Sequence, residues 1–142
     1  MTRLAERTAE AMYARDRASQ GLGMTIEEVR PGYARLRMTV RPDMLNGHDI
    51  CHGGFVFALA DSAFASACNS HNRATVAAGA AIEFLAAVRA GEVLVAEAVE
   101  QSLGGRLGVY DVGVRNGDGV RVALFRGRSY AIKGSVIAEA GP

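Results

Sequence analysis

The sequence has little of several features that define common protein classes. Its 142 residues include only two cysteines, Cys51 and Cys68, which form no disulfide framework and are typical of a reducing compartment. Its 16 Lys and Arg residues nearly balance its 15 Asp and Glu residues, giving a net charge of +1. That balance argues against nucleic acid as a partner, because such proteins neutralise many phosphates.

The sequence also lacks the run of about 18 apolar residues that a membrane-spanning helix requires. The longest candidate, Phe55 to Cys68, carries Asp61 near its middle, so we expect no membrane partner. The first residues lack the apolar core of a signal peptide, which favours a cytoplasmic location. There is no G-x-S-x-G nucleophile elbow, no G-x-G-x-x-G fingerprint and no phosphate-binding loop, which argues against the enzyme classes that use them.

What is present is typical of a globular protein, with 49% apolar and 22% charged residues. The length fits one domain over residues 1–142. Apolar residues at three- and four-residue spacing predict an N-terminal helix over about residues 2–19, followed by a core over about residues 20–133. Alternating apolar residues and a Pro-Gly turn predict a first hairpin over residues 24–40.

The segment from Gly53 to about Ser70 is apolar on nearly every side, which is typical of a buried helix. Four strands are predicted after it, over residues 75–88, 93–102, 107–115 and 120–133. Gly104-Gly105 in one connection, and Asn-Gly followed by Asp-Gly at 116–119 in the next, favour tight hairpin turns. The sequence therefore predicts an α+β domain in which a long antiparallel sheet wraps around one apolar helix.

The loop before this helix carries two histidines, His48 and His52, and His52 is directly followed by Gly53 and Gly54. A helix N-terminus offers unpaired amides and a partial positive charge, and glycine lets a ligand oxygen approach them closely. This combination suits a carbonyl that becomes an oxyanion during attack. The two glycines would equally suit a tight turn into the helix, and their spacing leaves both interpretations open.

Asp61 is the only formally charged side chain between Asp49 and Arg73. Burying a carboxylate without a partner costs several kcal/mol. An arginine or a backbone amide would provide a structural explanation, whereas a general base or nucleophile would provide a functional one. Asp61 lies about 12 Å along the helix from Gly53, whereas a base must come within about 3 Å of its proton. If both groups act in one reaction, we expect the site at a dimer interface.

Two other sites are less favoured. His48 and His52 have metal-ligand spacing only on a helix, and Gly47 indicates a loop, so no metal is expected. Cys51 beside His52 suggests a thiolate nucleophile, but adjacent residues rarely pair well and a buried free cysteine is the more common case.

The stretch from Asn46 to Ala65 resembles the hotdog-fold acyl-CoA thioesterases, and in particular their PaaI type of the phenylacetate degradation pathway. The resemblance rests on Asn-Gly-His at 46–48, His-Gly-Gly at 52–54 and Ala-Asp-Ser-Ala-Phe-Ala at 60–65. The order of elements also matches from about residue 20 to residue 133. The resemblance implies a hotdog fold, a homodimer with edge-to-edge sheets and shared active sites, and dimers that associate into a homotetramer.

The resemblance also implies roles for individual residues. Gly53 would donate its amide to the thioester carbonyl, and His52 and Asn46 would shape that end of the site. Asn46 would orient Asp61 or the attacking water. Asp61 of the other protomer would act as general base, or would attack directly to form an anhydride. No cofactor is implied, since coenzyme A is part of the substrate.

Further substrate contacts are expected from Gly54, Thr75 and Arg89. Many relatives carry a Ser or Thr that holds water early in the strand after the helix, and Ala77 stands at that place here. Thr75, on the same strand face, is the candidate substitute. Coenzyme A phosphates require cations, and the candidates besides Arg89 are Arg115, Arg126 and Arg128.

The function implied is hydrolysis of an acyl-CoA thioester to the free acid and coenzyme A. Its acyl group is expected to be aryl, such as phenylacetyl-CoA or hydroxyphenylacetyl-CoA. Phe55, Phe57 and Phe64 are candidates for an acyl pocket, although core packing is the more common role for at least two of them. The alternatives are a hotdog hydratase or dehydratase, and a non-catalytic acyl-CoA-binding protein.

Overall fold

The structure, a computed structural model, describes residues 1–138. Its elements are α1 (Thr2–Arg15), α2 (Arg17–Gly21), β1 (Thr25–Arg30), β2 (Tyr33–Thr39), a 3-10 turn (Pro42–Met44), α3 (Gly53–Cys68), β3 (Thr75–Phe84), β4 (Val93–Gly104), β5 (Leu107–Arg115) and β6 (Arg121–Ala131). Residues 139–142, the end of the predicted domain, lie outside the described residues.

The N-terminal segment forms two helices, whereas the periodicity predicted one over residues 2–19. The break is at Asp16, whose carboxylate accepts hydrogen bonds from the amide of Ser19 at 3.0 Å and from its hydroxyl at 2.6 Å. Aspartate competes with helical backbone hydrogen bonds in this way and therefore favours caps. Asp16 thus ends α1 and caps α2.

The strands form one six-stranded antiparallel sheet in the order β1-β2-β4-β5-β6-β3. Helix α3 packs across it, against β2, β4 and β5. Its close approach to β6 requires glycine at position 127, because a Cβ there would lie 2.8 Å from the Phe64 ring. The predicted α+β arrangement of a long antiparallel sheet around one apolar helix is confirmed.

Strand β3 lies at one edge of the sheet and is paired only with β6 among residues 1–138. Apolar side chains are exposed along it, including Val76 at 46% and Phe84 at 55%. It ends at Phe84, four residues before the predicted end, because the chain then leaves the sheet to meet the loop before α3. There the carbonyl of Val88 accepts a hydrogen bond from the amide of Cys51 at 2.7 Å.

Candidate active site

The loop that leads into α3 is organised by Asn46. Its side-chain oxygen accepts hydrogen bonds from the amides of His48 at 2.9 Å and Ile50 at 3.4 Å. Its own amide donates to the carbonyl of Ile50 at 2.8 Å. These contacts use the acceptor atom of the Asn46 side chain, while its Nδ2 donates no hydrogen bond within residues 1–138.

His52 is the N-cap of α3, the residue directly before its first residue. Its Nδ1 accepts a hydrogen bond from the amide of Gly54 at 2.9 Å, which satisfies one of the unpaired donors of the first turn. An accepting Nδ1 places the ring proton on Nε2. The side chain of His52 therefore holds the backbone of the two glycines in place and leaves a donor on its exposed edge.

The amide of Gly53 is the free donor of this first turn. As the first residue of α3 it has no partner earlier in the helix, and it donates no hydrogen bond within the described residues 1–138. The aromatic ring of Phe84 lies against Gly53, since a Cβ built on this glycine would be 2.8 Å from Cζ of that ring. Glycine thus does more than make a turn here, because any side chain at this position would collide with the Phe84 ring.

A cavity of about 450 Å³ lies beside this amide. Asn46, Gly53, Val56, Phe84 and Val88 are among the residues that line it. Its volume is within the range of small-molecule sites, about 300–1,000 Å³. No sequence signal pointed to Phe84, because nothing in a strand pattern indicates that its last residue will contact a helix N-terminus.

Asp61 is half-buried on α3, and its carboxylate makes no hydrogen bond or ion pair within residues 1–138. The arginine or amide partner that a structural explanation requires is therefore missing from the described protomer. Burial raises the pKa of Asp61, and the nearby carboxylate of Asp16 raises it further. Such a carboxyl group is a stronger base, when ionised, than an exposed one.

Within one protomer the two chemical features lie apart. Gly53 and Asn46 line the cavity described above, whereas Asp61 lines a smaller one of about 190 Å³ between α3 and the N-terminal helices. Eight residues of helix, about 12 Å, separate Asp61 from Gly53. A single protomer therefore does not bring the candidate base to the candidate amide.

The other substrate-binding candidates are distributed over the surface. The hydroxyl of Thr75 donates to the carbonyl of Arg73 at 2.6 Å, so only its acceptor capacity is free. Ala77 is exposed on β3. Arg89 lies in the exposed turn before β4, and its amide donates to Glu92 at 2.5 Å.

The remaining arginine candidates differ in the contacts that their guanidinium groups already make. Arg126 makes two contacts with the Asp111 carboxylate, at 2.6 and 2.8 Å. Arg115 donates to the carbonyl of Gly119, and Arg128 donates to that of Ala78 at 3.5 Å.

Two of the three phenylalanines considered for an acyl pocket pack in the core. Phe64 is 1% exposed and lies 5.6 Å, ring to ring, from Tyr110, and Phe57 lies 5.2 Å from Phe125. Phe55 also packs against the core, and its ring contacts that of His52 edge to face at 6.0 Å. Of the three, Phe55 is therefore the one adjacent to the start of α3.

Both cysteine thiols are buried and free. Burial raises the pKa of Cys51 and raises that of Cys68 to about 12, which disfavours thiolate chemistry at either position. In residues 1–138 no three His, Cys, Asp or Glu side chains are grouped to hold a metal ion.

A family model described as "Thioesterase superfamily" matches residues 48–123, the range that holds both the His-Gly-Gly motif and Asp61. The chain belongs to the thioesterase superfamily. This thioesterase is 45% identical over 140 residues to the acyl-coenzyme A thioesterase PaaI of Escherichia coli, a match that covers 99% of this chain and 100% of the relative.

Solved structures agree with this assignment. The PaaI protein from the phenylacetic acid degradation operon of E. coli superposes with a TM-score of 0.94 at 44% identity, over 95% of this thioesterase and 98% of that chain. A hypothetical thioesterase protein with coenzyme A from Streptococcus pneumoniae superposes with a TM-score of 0.75 at 25% identity, over 79% and 90% of the two chains. The predicted hotdog fold and thioesterase class are confirmed. No helix among residues 1–138 is long and apolar enough to cross a membrane.

Proposed function

We propose that this thioesterase hydrolyses aryl-acyl-CoA thioesters, such as phenylacetyl-CoA or hydroxyphenylacetyl-CoA, to the free acid and coenzyme A in the cytoplasm. The observation that carries the proposal is the half-buried Asp61 carboxylate, which has no partner within residues 1–138 and lies on the helix whose N-terminal amide is also free. The name of the E. coli relative supports the coenzyme A thioester, and the operon of its solved structure supports the aryl acyl group.

The active unit in this proposal is a homodimer. The ten-residue edge strand β3 exposes apolar side chains and an unpaired row of backbone groups, which proteins usually cover. Pairing of β3 with its copy would cover both and bring the Asp61 of one protomer to the Gly53 cavity of the other. Two such dimers form a homotetramer in the proposed assembly.

The Gly53 amide, at the positive end of α3, donates a hydrogen bond to the thioester carbonyl oxygen and stabilises the negative charge that develops there. Asp61 of the partner protomer takes a proton from a water molecule as the water oxygen attacks the carbonyl carbon. The carbon–sulfur bond then breaks, the coenzyme A thiolate takes up the proton, and the free acid leaves. In the other route the Asp61 carboxylate attacks the carbonyl carbon and the carbon–sulfur bond breaks to release coenzyme A thiolate. Water then hydrolyses the resulting anhydride to the free acid and the Asp61 carboxylate, and the thiolate takes up the released proton.

The neighbouring residues support these two groups. His52 holds the backbone of Gly54, and Asn46 shapes the loop while its uncommitted Nδ2 orients the water or Asp61. Thr75 contributes a hydroxyl oxygen as an acceptor for water. Arg89 is the candidate for the coenzyme A phosphates, because its guanidinium group makes no hydrogen bond or ion pair within residues 1–138, whereas those of Arg115, Arg126 and Arg128 each make one or more. No cofactor is needed for this chemistry.

The test is release of thiol from a panel of acyl-CoA substrates, followed with a thiol reagent. We expect the largest kcat/KM with aryl-acyl groups, and we expect Asp61→Asn to lower kcat by about 10²–10⁴-fold, the range for loss of a general base. Asp118→Asn is the matched control, since it removes the same charge from an exposed turn. Absence of thiol release from every substrate would support a non-catalytic binding protein instead, and hydration of an enoyl-CoA would support a hydratase.

The shared site has its own test. An Asp61→Asn protomer keeps Gly53, and a Gly53→Ala protomer keeps Asp61, so a mixed dimer contains one intact site. Random exchange between the two impaired variants should raise activity above that of either variant alone, to about a quarter of the wild-type value, because about half of the dimers are mixed and each has one intact site of two. If protomers are shown to exchange but no activity is restored, Gly53 and Asp61 must act within one protomer.

A further inference from the structure

A second carboxylate shares the cavity of Asp61. Asp16 lies at the junction of α1 and α2, and both residues line the space of about 190 Å³ between that junction and α3. Among the described residues around this cavity, Asp16 and Asp61 are the only charged ones. The thiol of Cys68, on α3 itself, also lies near enough for the charge of Asp61 to raise the pKa of that thiol.

A chain of hydrogen bonds connects Asp16 to the residue next to Asp61. The Ser19 hydroxyl is 2.6 Å from Oδ2 of Asp16 and 2.8 Å from the hydroxyl of Ser62, and Ser19 is only 2% exposed. Because Ser19 gives its single hydroxyl proton to the carboxylate, the Ser62 hydroxyl is the donor in the second contact. The junction of the N-terminal helices is thus fixed to α3 beside Asp61.

The charge of Asp16 is more than its capping role requires. A helix N-cap needs a side-chain oxygen, and Asn or Ser serves about as well as Asp. Two carboxylates in one cavity without a cation repel each other, so the charge carries a cost that a neutral cap would avoid. This excess points to a role toward Asp61 and not only toward α2.

We propose that Asp16 is a positioning residue for Asp61, which fixes the N-terminal wall of the Asp61 cavity and places a second negative charge beside the reacting carboxylate. The inference rests on the proposed function, in which Asp61 is the base. Repulsion by Asp16 favours the protonated form of Asp61, so the ionised form binds a proton more strongly. A base of that kind takes a proton from water more readily than an isolated aspartate.

The test compares the wild-type enzyme with Asp16→Asn. Asparagine keeps an oxygen for the Ser19 amide and can donate to the Ser19 hydroxyl, so the cap and the connection to Ser62 are retained. The carboxyl carbons are labelled with ¹³C in aspartate, and the Asp61 signal is assigned by its absence in Asp61→Asn. The NMR titration midpoint of Asp61 and the acidic limb of the kcat/KM profile are then measured.

We expect both the NMR midpoint and the acidic limb to shift to lower pH in Asp16→Asn, and neither to shift in the control Asp118→Asn. If Asp16→Asn does not fold, Asp16→Ser is a second neutral cap that must shift both in the same direction. An unchanged NMR midpoint in a folded neutral variant would overturn the inference, whatever the activity. A shifted midpoint with an unchanged acidic limb would support the positioning of Asp61 and contradict its role as the base, so the two failures are distinguishable.

Discussion

The imidazole Nδ1 of His52 accepts a hydrogen bond from the amide of Gly54 at 2.9 Å, so a residue of the His-Gly-Gly motif caps the helix that the motif begins. This contact fixes the direction of the peptide groups at the start of α3. The Gly53 amide belongs to the same turn, and its orientation therefore depends on the cap.

Replacing His52 with alanine should reduce both stability and activity. Loss of an N-cap costs about 1 kcal/mol in free energy of unfolding. His52→Asn should restore stability, because asparagine is a good N-cap, and it should recover much of kcat if the imidazole acts by holding the turn. Urea unfolding and thiol-release kinetics on both variants check this. A His52→Asn enzyme that is stable but as inactive as His52→Ala would indicate that the imidazole itself contacts the substrate.

Gly53→Ala should reduce activity more than stability. The added methyl group would lie 2.8 Å from Cζ of Phe84, and this half-exposed ring can move aside. The displaced ring and the methyl group would then obstruct the free amide, and we expect kcat/KM to fall by about tenfold or more, toward the effect of losing an oxyanion donor.

The Gly53→Ala/Phe84→Ala double variant separates the two causes. It should recover part of the lost activity, since removing the ring leaves only the methyl group beside the amide. Steady-state kinetics with one aryl-acyl-CoA measure the recovery, and Phe84→Ala alone is the control. If the double variant is no more active than Gly53→Ala, the ring has no part in the defect.

The sequence allowed the start of α3 to be located, but not the way in which it is covered. Local signals identified Gly53 and Asp61, because a glycine pair before an apolar run and a lone carboxylate within it are unusual in themselves. Phe84 lies 31 residues further along the chain than Gly53, and only the path of β3 brings its ring there. Contacts of that kind depend on tertiary packing, which no local pattern contains.

The same reason explains the N-terminal segment. Apolar spacing predicted one helix over residues 2–19, and the capping preference of Asp16 for Ser19 divides it in two. Aspartate is a common N-cap, but here the apolar spacing continues past Asp16 and favours one uninterrupted helix. The fold of the core was predictable, since hairpin turns and alternation are local, whereas the placement of Asp16 and Asp61 around one cavity was not.

Variants of Asn46 should separate its structural contribution from its chemical one. Asn46→Asp keeps an oxygen for the amides of His48 and Ile50 but loses the Nδ2 donor. We expect it to unfold at a similar urea concentration to the wild type and to have a lower kcat. Asn46→Ala loses both atoms and should lower stability as well, by about 1 kcal/mol for the lost hydrogen bonds. Full activity in Asn46→Asp would exclude the proposed role of Nδ2 in orienting water.

The stability of the protein should increase when Asp61 is neutralised, and the gain should depend on pH. Burial, and then Asp16, raises the pKa of Asp61 above its ordinary value, so the folded state binds this proton more tightly than the unfolded chain does. Ionisation of Asp61 consequently costs folding free energy. The cost is absent below the pKa of the unfolded chain, about 3.9, and reaches its full size once the pH exceeds the raised pKa of the folded state.

Asp61→Asn avoids this cost, and we expect it to be more stable than the wild type at pH 8 by an amount on the order of 1 kcal/mol, the size of many stabilising substitutions. The advantage should shrink as the pH falls toward 4, where the wild-type carboxyl group becomes neutral too. Urea unfolding at matched protomer concentration across this pH range measures the difference, because the stability of an oligomer depends on concentration. If Asp61→Asn is no more stable than the wild type at pH 8, or if its advantage grows on acidification, then Asp61 has a stabilising partner in the assembled enzyme. An unpaired charge could then no longer support the assignment of Asp61 as the base.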